Sequence, residues 1–246
     1  MLRRVWLLPL VFLFACPKDT PEGTLLSEVR RTLADRERRL NTYHLAGESK
    51  EGDAVATHAF FFRAPNKMRG VVMHPAHLEW TWDGAHLAKL EFGSKTFSNF
   101  PITLPPEKAA MFLTTTFAPF VSEGFRTPLM PSKGVTATML KDEVELKVVN
   151  PQLRLTYRLR WPTGDFLGKR TESDGQVSEL TVDEEQCDEK LKLCVPKVTS
   201  QRLDGKLQLS TRLTRIELNV DVPADDFTPR PPQGWTEETH PVVESD

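Results

Sequence analysis

Leu78-Glu79-Trp80-Thr81-Trp82-Asp83-Gly84 is the stretch on which the fold turns. Successive strand residues point to opposite faces, so Leu78, Trp80 and Trp82 share one side and Glu79, Thr81 and Asp83 the other. Asp83-Gly84 then supplies turn residues. The spacing predicts a strand of an antiparallel sheet with one strongly aromatic face. Around it, Tyr43–Ser49, Ala56–Arg63, Met68–His74 and Ala85–Phe92 read as further short strands. Glu51-Gly52-Asp53, Ala64-Pro65-Asn66 and Pro75-Ala76 are the turns between them. Phe60 and Phe62 share a face, as the two tryptophans do, and that face must be covered.

Helices are expected on either side of this meander. Thr24 or Ser27 opens the first, with Leu26, Val29, Leu33 and Leu40 at helical spacing. Its other face carries Arg30, Arg31, Arg36, Arg38 and Arg39, balanced by Glu28, Asp35 and Glu37. Pro105-Pro106 opens the second, from Glu107 to about Phe120. Met111, Phe112, Leu113, Phe117 and Phe120 make it apolar over much of its surface, as suits a helix packed on a sheet. After an irregular Thr127–Pro131, strands resume: Gly134–Leu140, Val144–Val149, Leu153–Trp161, Gly168–Thr171, Ser178–Val182, Lys197–Leu203 and Lys206–Val222. Asn150-Pro151, Thr163-Gly164-Asp165, Asp174-Gly175 and Asp204-Gly205 are their turns. A sheet this large must pair, close or curl, and the apolar second helix favours curling. The expected fold is α+β, mostly β: a strongly curved antiparallel sheet, an incomplete β-barrel, covered by helices. Residues 24–235 would form this single domain, and 236–246 an acidic disordered tail.

The amino terminus carries an address. Met1-Leu2-Arg3-Arg4 is followed by an apolar run, Val5 to Ala15, and then Cys16. A basic start, a short apolar core and a small residue before the cut mark a secretory signal. The run is too short to span a bilayer, which takes about 20 residues. Leu13-Phe14-Ala15-Cys16 resembles the lipobox of bacterial lipoproteins. The resemblance implies removal of residues 1–15 and a diacylglycerol and acyl lipid on Cys16, with 17–23 as a polar tether. The chain would then be held by its lipid in the bacterial envelope, at the outer membrane facing the periplasm. Without Arg3 and Arg4 the chain keeps 30 basic and 34 acidic residues, a balance that gives no footprint for nucleic acid. Cys187 and Cys194 remain as an even pair, expected to form a disulfide in an oxidising compartment.

The order of motifs resembles the LolA/LolB superfamily of lipoprotein carriers and receptors. Phe61-Phe62-Arg63-Ala64-Pro65-Asn66-Lys67-Met68-Arg69 resembles its apolar strand, proline-centred turn and next strand opening on a basic residue. Trp82-Asp83-Gly84 resembles its x-D-G hairpin. Leu218-Asn219-Val220, Phe227 and Pro231-Pro232-Gln233-Gly234 resemble its closing strand and F…PP.G ending. The resemblance runs from about Leu25 to Gly234 and implies a half-barrel with an apolar cavity for acyl chains. Two positions differ from the soluble carrier. Its lid-latching arginine stands just before the motif proline, where this chain has Ala64 and carries Arg63 one residue earlier. The carrier is not lipidated, whereas lipidation is a feature of the receptor member.

An acyl chain needs a dry, aromatic or aliphatic pocket. Each buried methylene gains about 0.8 kcal/mol, so a sixteen-carbon chain gains on the order of 10 kcal/mol before costs. Phe60, Phe62, Trp80, Trp82, Phe92, Met111 and Phe117 are the candidate walls. No G-x-S-x-G, H-E-x-x-H or Walker loop occurs, so no catalytic residues are named and the chain is read as non-enzymatic. His58, His74, His77 and His86 lie near one another in the expected meander but lack a spacing that points to a metal. No cofactor and no metal are expected. The leading reading is a monomeric acceptor or sensor binding the acyl chains of a lipoprotein or lipid. The alternative is a structural lipoprotein of the same fold with a filled core and a protein partner.

Overall fold

The alternation around Trp80 and Trp82 forms the strand it predicts, and the hairpins on either side extend it into a sheet. The computed structural model describes residues 21–117, 134–149 and 153–243. In chain order the elements are α1 (Pro21–Arg39), β1 (Thr42–Glu51), β2 (Ala54–Arg63), β3 (Lys67–His74), β4 (Leu78–Trp82), β5 (Leu87–Glu91) and β6 (Thr96–Phe100). There follow α2 (Pro106–Phe117), β7 (Val135–Leu140), β8 (Glu143–Val149), β9 (Arg154–Arg160) and β10 (Phe166–Ser173). The last are β11 (Gln176–Asp188), β12 (Leu193–Leu203), β13 (Lys206–Leu218) and β14 (Thr236–Thr239). The strands belong to one sheet, ordered β14-β6-β5-β4-β3-β2-β1-β13-β12-β11-β10-β9-β8-β7. Two meanders meet where β1 pairs antiparallel with β13, Tyr43 opposite Leu218 and Leu45 opposite Ile216.

The sheet curls because its ladders are interrupted at particular places. Register shifts occur at Ala46/Gly47, at Phe166/Gly168 and between Val182 and Glu185; such bulges bend the strand and increase its twist. Gly47 is fixed by this geometry. A Cβ there would lie 2.3 Å from the Arg212 carbonyl oxygen, so only glycine lets β13 approach. On the convex side, Arg158 pairs with Glu143 and Arg170 with Glu172 and Glu179. Glu184 meets Lys197 and Arg212. Exposed pairs of this kind add little stability but keep that surface wet.

The concave side holds two apolar clusters, each under one helix. On β7–β10, Val29 of α1 packs with Ala137, Val144, Leu146, Tyr157, Leu159 and Phe166. On β1–β5, Leu113 and Phe117 of α2 pack with Phe60, Phe62, Met68, Trp82 and Leu87. The carboxyl-terminal segment crosses the opposite face. It buries Phe227 completely and sets Trp235 edge-on to Phe92, with centroids 5.0 Å apart.

A polar clasp fixes α1 to the sheet. The Asp165 side chain, in a residue only 1% exposed, accepts from the Cys194 amide at 2.8 Å and the Thr163 hydroxyl at 2.6 Å. Arg36 of α1 stands 3.5 Å from the same carboxylate and donates to the Cys194 carbonyl at 3.0 Å. Arg160 approaches Asp165 to 3.7 Å and pairs with Glu185 at 2.6 Å. Beside this clasp Cys187 and Cys194 face each other across β11 and β12 as a disulfide. At the end of α1, the Asn219 side chain donates to the Arg39 carbonyl at 2.7 Å and accepts from the Asn41 amide at 2.8 Å.

Three expectations need correcting. Residues 236–246 were expected to be disordered, yet Thr236–Thr239 pairs parallel with β6, and Val242 bridges Ile102. The reason is backbone demand: an edge strand offers an open row of donors and acceptors, and the acidic side chains of the tail do not interfere with filling it. Second, α1 begins at Pro21, so it takes the last three residues of the expected 17–23 tether. Third, β6 was not expected; its Phe97 and Phe100 lie three apart and so serve opposite faces, which hides the alternation. The signal at 1–15, Cys16, the Asn150-Pro151 turn, Thr127–Pro131 and Phe120 lie outside the described residues.

Asp165→Asn should leave the Arg36 charge buried and uncompensated. The expected cost is about 3 kcal/mol, read as a lower urea midpoint at unchanged slope.

Candidate functional site

The apolar interior beneath α2 is the candidate site. Its wall is built by strand parity: Phe60 and Phe62 on β2, Tyr43 and Leu45 on β1, Trp82 on β4 and Leu87 on β5 all turn inward. Tyr43 stacks on Phe62 at 4.9 Å between centroids, and Phe117 of α2 meets Phe60 edge-on at 5.9 Å. Phe60 and Phe117 are fully buried, and Trp80 packs on the cluster's flank against Phe100 at 5.5 Å. Five of the candidate walls, Phe60, Phe62, Trp80, Trp82 and Phe117, are therefore gathered in one place. Met111 lies on α2, but its side chain is outside the described ones.

Phe92 does not belong with them. Strand parity from Leu87 places it on the opposite face, where it stacks on His77 at 3.6 Å and packs with Ala88, Leu90, Phe97 and Trp235. A strand over Ala85–Phe92 carries no register of its own to fix this parity; the pairing of Leu87 with Trp82 supplies it. That face is buried too, since the carboxyl-terminal segment covers it.

The interior changes character along the strands. Phe62 and Phe60 give way to His58 on β2, Tyr43 and Leu45 to Gly47 and Ser49 on β1, and Ile216 and Leu213 to Thr211 on β13. Thr199 lies opposite Thr211, and Ser49 and Thr211 share a hydrogen bond of 2.8 Å. Lys169 on β10 sits between Tyr157 and Leu180, both in the α1 cluster, so it too faces inward. Burial pulls the His58 imidazole and the Lys169 ammonium below their usual pKa values. The same cause, without any charge partner, pushes the Tyr157 phenol up to about 12. The interior is thus an apolar core grading into a polar belt. Sequence reasoning missed that belt because His58, Ser49, Thr211 and Lys169 lie on four different strands.

The motif residues also find their places. Ala64 packs on the edge of the interior cluster, while the Arg63 guanidinium donates to the Val222 carbonyl. The arginine therefore ties β2 to the segment after β13, as its one-residue shift implies. A separate shallow depression of about 230 Å³, lined by Gly23, Thr24, Ser27, Glu28 and Arg31, lies along α1. Its lining is polar and does not suit an acyl chain. Among the described residues no group of three histidine, cysteine or acidic side chains converges as metal ligands would.

Acid should act through His58 in the interior belt and through His44 on the opposite face of β1, whose imidazoles are both held below the usual value chiefly by burial. A histidine with a lowered folded-state pKa takes up its proton more readily in the unfolded chain. Its stability contribution is therefore intact above about pH 6.5 and is lost as the pH falls towards the folded pKa. Melting temperatures should drop between pH 7.5 and 5.5. In His58→Gln the drop should shrink to the part owed to His44.

Comparison with known proteins bears on this geometry. A scan against protein-family models finds no match, and a search of curated proteins returns none. Solved structures do match. A domain from Vibrio parahaemolyticus assigned to outer membrane lipoprotein sorting superposes with a TM-score of 0.55 at 10% identity, covering 82% of this chain and 97% of that one. A DUF1329 family protein from Desulfovibrio piger gives 0.53 at 8% identity, with 82% and 97% covered. A LolA superfamily protein from Nitrosomonas europaea gives 0.50 at 10% identity, with 81% and 97% covered. Identities this low establish architecture alone. The chain has a LolA/LolB-like fold, a large curved open sheet with helices on its concave side.

Proposed function

We propose that this chain is a lipid-anchored protein of the bacterial envelope that accommodates acyl chains of a lipoprotein or lipid in the interior beneath α2. The observation that carries the reading is the convergence of Phe60, Phe62, Trp80, Trp82 and Phe117 in one apolar interior of a LolA/LolB-like fold. Binding would work by partition. Chain methylenes leave water at about 0.8 kcal/mol each and replace contacts that α2 makes through Leu113 and Phe117. The two helices are attached differently, which supports α2 as the moving cover. Asp165 and Arg36 clamp α1, whereas the described core contacts of α2 with the sheet run through the apolar side chains of Leu113 and Phe117. The role is acceptor or sensor and not enzyme, with the lipid on Cys16 keeping the body at the outer membrane, facing the periplasm. Fold similarity to a lipoprotein-sorting domain supports the cargo class.

A structural role through a protein partner is the competing reading, favoured by the complete burial of Phe60 and Phe117. Titration of the purified full-length chain, stripped of co-purifying lipid, with a fluorescent sixteen-carbon fatty acid separates the two. Saturable binding is expected, weakened about tenfold or more in Phe60→Ser if that variant keeps its melting transition. This estimate corresponds to losing roughly 1.5–3 kcal/mol of apolar contact. A chain that binds no acyl probe leaves the structural role standing. The anchor has its own test: mass spectrometry of the chain from membranes should find an acylated Cys16. Cys16→Ser should move the chain from the membrane to the soluble fraction.

A further inference from the structure

Trp82 presents an unexplained donor. Its residue is 7% exposed, and its indole Nε1–H has no hydrogen-bond partner among the described residues. Its cross-strand neighbours Met68 and Leu87, and Phe60, Phe62, Leu113 and Phe117 in the surrounding cluster, carry no side-chain acceptor of ordinary strength, and the Tyr43 hydroxyl of the same cluster makes no bond to it. Buried indole N–H groups normally find a partner, and an orphaned one is costly. Shape alone would be served as well by a ring without the N–H.

We propose that Trp82 is the polar anchor of the interior site, donating its Nε1–H to the carbonyl oxygen of an ester, amide or carboxyl group at the head of a bound acyl chain. The proposal rests on the acyl-binding reading and sharpens its ligand class. A hydrocarbon chain offers no acceptor, whereas an acyl carbonyl brings one, with an apolar tail that suits the aromatic walls. Trp82 ends β4 next to the Asp83-Gly84 turn, so the anchor would lie at one end of the apolar interior, with the chain running inward from it. The site would thereby select acyl esters over alkyl ethers of equal length.

The test uses the full-length chain and displacement of the fluorescent fatty acid by methyl palmitate or hexadecyl methyl ether. The wild type should bind the ester about five- to tenfold more tightly than the ether, the worth of one buried hydrogen bond. Trp82→Phe should bind both alike, at the ether's level. A retained ester preference in the variant, or no preference in a wild type that binds both, overturns the anchor and leaves acyl binding intact. If the wild type binds neither probe, the acyl-binding reading itself falls. Should Trp82→Phe fail to fold, the indole ¹H–¹⁵N resonance of Trp82 in the wild type decides. It should move downfield with the ester and not with the ether, and a resonance that stays in place with both overturns the contact. A synthetic diacylglyceryl-cysteine peptide and dipalmitoylphosphatidylglycerol vesicles, compared in the same displacement, identify the carbonyl's carrier as lipoprotein or phospholipid.

Discussion

A buried carboxylate organises one end of this molecule. Asp165 sits where the β9–β10 turn, the disulfide-bearing ends of β11 and β12, and α1 come together. It is nearly inaccessible and is satisfied by an amide, a hydroxyl and two guanidinium groups. Removing a charge from water is expensive, and such a site persists only when partners converge from every side. That demand fixes the angle at which α1 crosses the sheet, and with it which strands the helix covers. β1–β6 are left to α2 and to the interior that faces it.

The two halves of the sheet therefore differ in kind. The β7–β10 half is closed by a helix locked through ions and reinforced by a crosslink. The β1–β5 half is closed by a helix that adheres through Leu113 and Phe117. Apolar adhesion is non-directional and proportional to area, so a ligand supplying equivalent apolar surface can replace it at little net cost. An ion clasp has no such substitute. This asymmetry is what the proposed acyl binding would draw on: a frame that stays fixed while one cover exchanges contacts.

Much of this was legible in the sequence, and what was not had identifiable causes. Leu78–Trp82 reads correctly because alternation and a strong turn coincide, and the Asp-Gly pairs at 174–175 and 204–205 mark real hairpins. Phe60, Phe62, Trp80, Trp82 and Phe117 could be grouped because each sits on an element with a clear period. Phe92 was placed on the wrong face because parity depends on register, and register depends on partner strands. Asp165 looked like an ordinary turn acid in Thr163-Gly164-Asp165. Its burial comes from α1, well over a hundred residues earlier. The curl of the sheet hinges on Gly47, where a bulge in β13 brings a carbonyl too close for any side chain, a constraint without a local signature. The order of the tail was hidden for a similar reason: composition describes side chains, whereas β14 is recruited by the backbone of β6.

That final strand has a consequence for crowding. An open sheet is a template, and copies concentrated on a surface can extend one another edge to edge into fibres. Here the outer row beyond β6 is already taken by Thr236–Thr239, which pairs in parallel and turns Glu237 and Glu238 to the solvent margin. A second copy approaching that margin meets its own negative charge. The acidic carboxyl-terminal segment thus sets like charge against strand addition at that edge, from residues whose composition alone suggests no structure.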